Sequence, residues 1–121
     1  MQFAVTTNPA RDPAFQRFLG ASETLGLRRK EQARLLGLNP DAFYRRMRAG
    51  TLREPERVLA NFLPQALARV TELYGDEARA RKWLTAPNHA LGGQRPVDLL
   101  SNLEGYEQVI NVCEEAVYGF Y

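Results

Sequence analysis

Apolar positions recur along this chain at the three- and four-residue spacing of an α-helix, and they nowhere alternate long enough to indicate a strand. Pro13 opens a first predicted helix running to about Leu25, with Phe15, Phe18, Leu19 and Leu25 inward and Gly20 weakening its middle. Ala33, Leu35 and Leu36 give a shorter helix one apolar side before Gly37 stops it. Asn39 then serves as cap and Pro40 as first residue of the next helix, where Phe43 and Met47 share a face up to Gly50. From Arg53 to Tyr74 the helical spacing is strongest, with Pro64 predicting a kink or break. Gly75 ends that element, and Asp76 caps a helix bearing Ala78, Ala80, Trp83 and Leu84, with Trp83 read as a core anchor. Ser101 and Glu104 have the spacing of a capping box for a last helix to about Tyr118, facing inward through Tyr106, Val109, Ile110, Cys113, Ala116 and Val117. The prediction is an all-α fold. Residues 1–12 show no periodicity and are expected to be poorly ordered or to lie on a partner.

Charge divides the chain in a way that hydropathy does not. Residues 1–60 hold 11 Lys/Arg against 6 Asp/Glu, a net +5, whereas residues 61–121 hold 5 against 8, a net −3. A basic half beside an acidic half suggests a different partner for each. We therefore expect residues 1–60 to form a DNA-binding and dimerisation region and residues 61–121 a second region. The basic half suits nucleic acid, because neutralised phosphates supply most sequence-independent affinity.

Within that half, two short helices flank a turn of about three residues, with small Ala33 at their crossing and Gly37 in the turn. This arrangement resembles a helix-turn-helix, of the Xre-like kind, whose second helix enters the major groove. On that reading residues 40–49 are the recognition helix, with Asp41, Ala42, Tyr44, Arg45 and Arg48 outward. Ala42, Tyr44 and Arg45 are placed to read base edges, and Arg48, Arg28 and Lys30 to grip phosphates. Asp41 favours the positive end of its own helix. Arg46 departs from the pattern, occupying a position where such motifs usually carry an aliphatic residue.

The segment Trp83 to Leu100, WLTAPNHALGGQRPVDLL, is too irregular for one helix and too apolar for a linker. Pro87-Asn88 breaks the preceding helix, Gly92-Gly93 permits backbone that side chains cannot follow, and Pro96 opens another turn of helix ahead of Val97, Leu99 and Leu100. A turn this specified holds one geometry. Together with Ala78, Gly105, Val109 and Gly119, these residues resemble the C-terminal toxin-binding domain of the MbcA/ParS/Xre antitoxin family.

That resemblance implies an antitoxin with two tasks. The C-terminal toxin-binding domain, residues 61–121, would neutralise a cognate RES-domain toxin, an NAD-consuming enzyme resembling ADP-ribosyltransferases, by occluding its active site. The N-terminal half, as a homodimer within a larger toxin–antitoxin complex, would bind operator DNA and repress its own operon. The surface candidates for toxin binding are His89, Gln94 and Arg95 on the turn, with Tyr118, Gly119, Phe120 and Tyr121 at the end. Arginine pairs readily with carboxylates, and tyrosine buries large area at interfaces. The alternative is a helix-turn-helix transcriptional regulator whose second domain serves dimerisation or ligand sensing.

Other classes find little support in the residues. No carboxylate pair, nucleophile–base set or phosphate loop is legible, so no catalytic residue and no cofactor are expected. A lone His89 and a single Cys113 cannot build a metal site, and Cys113 reads as a small buried hydrophobe. With one cysteine, no secretory signal pattern and no run of membrane-spanning length, the expected compartment is the cytoplasm, with no membrane partner.

Overall fold

The computed structural model describes residues 11–119, and among these every regular element is helical. Four helices come first: α1 (Pro13–Thr24), α2 (Arg29–Leu35), α3 (Pro40–Ala49) and α4 (Glu54–Leu59). Then follow α5 (Phe62–Tyr74), α6 (Glu77–Thr85), two 3-10 turns (His89–Leu91 and Pro96–Leu99) and α7 (Leu103–Tyr118).

Local chemistry sets most of these boundaries. The Asp12 carboxylate accepts from the Ala14 N–H at 3.0 Å, and Pro13 occupies the first turn of α1. Asn39 accepts from the Ala42 N–H at 2.8 Å with Pro40 beside it, starting α3 as expected. Asp76 does the same for α6 through the Ala78 N–H at 2.9 Å. Each cap satisfies an amide that the helix cannot.

Two boundaries, one helix face and the order of two N-terminal residues differ from the sequence reading. The break in the long apolar pattern falls at Ala60–Asn61, and Pro64 lies in the first turn of α5, where a missing N–H costs no helical hydrogen bond. Asn102 rather than Ser101 caps α7, accepting from the Gly105 N–H at 2.7 Å, and Glu104 is exposed. Along α7 the inward stripe advances in steps of four through Gly105, Val109, Cys113 and Val117, which leaves Ala116 on the solvent side. Residues 1–10 lie outside the described residues. Arg11 and Asp12, expected to be loose, are anchored: both backbone N–H groups donate to the Gly50 carbonyl, at 2.8 and 3.2 Å. The Arg57 guanidinium also donates to Asp12 at 2.6 Å and, with the capping amides, holds its carboxyl below the usual carboxylate range.

The core is continuous from Phe15 to Cys113. Phe15 and Phe18 of α1 pack with Leu63, Ala66 and Val70 of α5, which also bears against α6 and α7 through Leu84 and Val109. Phe15 meets Phe43 of α3 edge-on, with ring centroids 6.2 Å apart, so the basic helices rest on the same core. The Cys113 thiol is fully buried there, and burial pushes its pKa up to about 11.

Candidate functional site

Two surfaces stand out among the described residues. The first is the outer face of α3. Tyr44 is 63% exposed, Arg45 and Arg48 project beside it, and the Arg48 guanidinium stacks over the Tyr44 ring at 5.5 Å. Arg28 and Lys30 are exposed at the start of α2. Arg29, which sequence reasoning passed over, joins Pro40, Phe43, Tyr44 and Met47 around a cleft of about 220 Å³. Ala42 departs from expectation: it lies buried with Phe43 on the inner side of α3 and does not face outward.

Arg46, the departure from the aliphatic pattern, points into the junction between α3 and α4. Its guanidinium makes a two-pronged pair with Glu56, at 2.7 and 2.9 Å, and both side chains are about nine-tenths covered. The Arg46 charge holds the Glu56 carboxyl below its ordinary range, against the opposing effect of burial. Glu56 also accepts from the Arg53 N–H at 3.0 Å and so caps α4. The polar pair occupies the place an apolar contact would have filled.

The second surface is the segment between α6 and α7. Asn88 caps the first 3-10 turn through the Ala90 N–H, and its own N–H donates to the Gln94 carbonyl at 3.0 Å, closing a small loop. Gly92 and Gly93 inside it have φ of 69° and 85°, left-handed values that side chains adopt only under strain. The loop lifts His89 and Gln94 into solvent, while Leu91, Pro96, Val97 and Leu100 anchor it beneath. Gly105 lets α7 press onto that anchor, since a Cβ there would fall 1.8 Å from the Leu99 carbonyl oxygen.

Arg95 is engaged inside the chain. It donates to Asp98 at 2.9 Å and to Glu31 of α2 at 2.5 Å, and Asp98 in turn accepts from Arg34 at 3.0 Å. The Arg28 N–H and the Arg95 guanidinium hold Glu31 below the usual carboxylate range. The loop is thereby tied to α2, across 64 residues of sequence. Tyr118 is 55% exposed at the end of α7 and Gly119 follows it, whereas Phe120 and Tyr121 lie outside the described residues. His89 and Gln94 thus share one loop, and Tyr118 stands at the far end of a helix whose body packs on that loop.

Trp83 is not the core anchor expected of it. Leu84, its neighbour, is fully buried, whereas Trp83 is half-buried at the edge of the core against Tyr74, with ring centroids 6.4 Å apart. Among the described residues, no group of three or more His, Cys, Asp or Glu is placed to hold a metal ion. No helix among them is long and apolar enough to cross a membrane.

No curated protein matches the chain. Residues 69–112 match the family described as the antitoxin Xre/MbcA/ParS C-terminal toxin-binding domain. The match begins within α5, takes in α6, both 3-10 turns and the glycine loop, and ends within α7. It covers the closed loop and the helices that hold it. In this chain the segment that carries the likeness to the Xre/MbcA/ParS toxin-binding domain is thus residues 69–112.

Proposed function

We propose that this chain is a cytoplasmic antitoxin that binds a RES-domain, NAD-consuming toxin through its C-terminal part and represses its own operon through α2 and α3. The observation that carries the reading is the match over residues 69–112, a domain defined by toxin binding. Its exposed loop, with His89 and Gln94, and the end of the chain from Tyr118 to Tyr121 are the parts proposed to occlude the toxin's active site. Arg95 supports that surface from behind, since its guanidinium already serves Glu31 and Asp98. The chain acts by steric occlusion and not as an enzyme.

DNA binding is supported by the exposed Tyr44, Arg45 and Arg48 on α3 and by Arg28 and Lys30 on the preceding segment. In a homodimer, two copies of α3 would meet half-sites about one helical turn, roughly 34 Å, apart. The test is co-expression with the product of the adjoining reading frame. That product alone is expected to arrest growth and deplete cellular NAD, and this chain to restore both. A harmless neighbour would favour the regulator reading instead.

A further inference from the structure

The half-buried Trp83 belongs to a surface that the turn and the tail do not include. Tyr74, Trp83, Ala86 and Pro87 floor an open cleft of about 390 Å³ beside the α6 C-terminus. Two cations flank it: Arg79, whose guanidinium lies 5.8 Å from the Tyr74 ring centroid, and the exposed Lys82. Arg34, Arg46, Arg57, Arg69 and Arg95 all donate to carboxylates of the chain itself. Arg79 and Lys82 find no such carboxylate among the described residues, and the Trp83 indole N–H finds no acceptor there.

The cleft thus offers an aromatic floor, two positive charges and three kinds of donor, while the nearby Asn88 side-chain oxygen is spent on its own turn. Its complement is anionic, rich in acceptors and apolar at one end. Every residue of the cleft falls within the toxin-binding match. We infer that the Tyr74–Trp83 cleft is a toxin-docking site that takes an acidic segment of the toxin, a carboxylate seated between Arg79 and Lys82 and an adjacent apolar side chain on the two rings. This rests on the antitoxin reading. It adds a second contact, on the face of α6, to the proposed contacts of the loop and tail. Aromatic side chains beside cations in a partly covered pocket are the residue types that dominate interface energetics.

Trp83 is the one tryptophan of the sequence, so it reports on this cleft alone. The full-length chain is labelled with 5-hydroxytryptophan, which is excited selectively over the toxin's tryptophans, and titrated with purified toxin. Docking is expected to protect the label from acrylamide quenching. Arg79→Glu combined with Lys82→Glu is expected to weaken toxin binding about tenfold or more, and to flatten its salt dependence. Both positions are exposed, and an unchanged circular-dichroism melt confirms that the variant folds. Wild-type affinity in the charge-reversed variant, with Trp83 still quenchable in the complex, overturns the inference and leaves the antitoxin reading standing. Absence of any complex with the wild-type chain overturns both. Protection of Trp83 by NAD alone, without toxin, also overturns it, in favour of a nucleotide pocket.

Discussion

Arg46 illustrates how a single side chain can satisfy a packing position by charge instead of by size. A carboxylate and a guanidinium removed from water cost several kcal/mol each, which good geometry repays only while both are present. Arg46→Leu alone strands Glu56 and is expected to destabilise the chain by about 3 kcal/mol in urea unfolding. Pairing it with Glu56→Gln removes the stranded charge, keeps an oxygen for the Arg53 N–H that caps α4, and is expected to recover most of that loss. A single variant as stable as wild type would show that the pair is not structural. Gly105 is the opposite case, a position where the smallest side chain is required because the Leu99 carbonyl occupies the space of a Cβ.

Among the elements, those with local signals were legible from the residues. Asn39 and Asp76 at helix starts, and the glycines that follow several helices, act through neighbours two to four positions away, so their roles can be read along the chain. The break at Ala60–Asn61 was not legible, because proline is compatible with a first helical turn as well as with a kink. The edge position of Trp83 depends on how α5 and α6 pack, and Arg95's commitment to Glu31 spans residues far apart in sequence. The loop between α6 and α7 was legible as a fixed turn, whereas the cleft beside it emerges only once Tyr74 and Trp83 meet. For α3, the exposed Arg45 carries the element's proposed role. Arg45→Ala is expected to lower operator affinity and relax sequence preference in a gel-shift series while toxin inhibition persists. Equal binding to operator and random DNA by both forms would remove α3 as the reading element.

On the scale of the whole molecule, the basic and acidic halves are not independent. One core runs from Phe15 to Cys113, and the Glu31–Arg95–Asp98–Arg34 network ties α2 to the turn that precedes α7. α1 packs on α5, so removing the first helices would expose a face of the element that begins the toxin-binding match. Function is therefore best measured on the full chain. The most direct test titrates it into the purified product of the adjoining reading frame while following heat of binding and NAD consumption. A saturable complex, with NAD consumption falling in step with its formation, is the predicted result. NAD consumption that continues unchanged, with no heat of binding, would contradict the account.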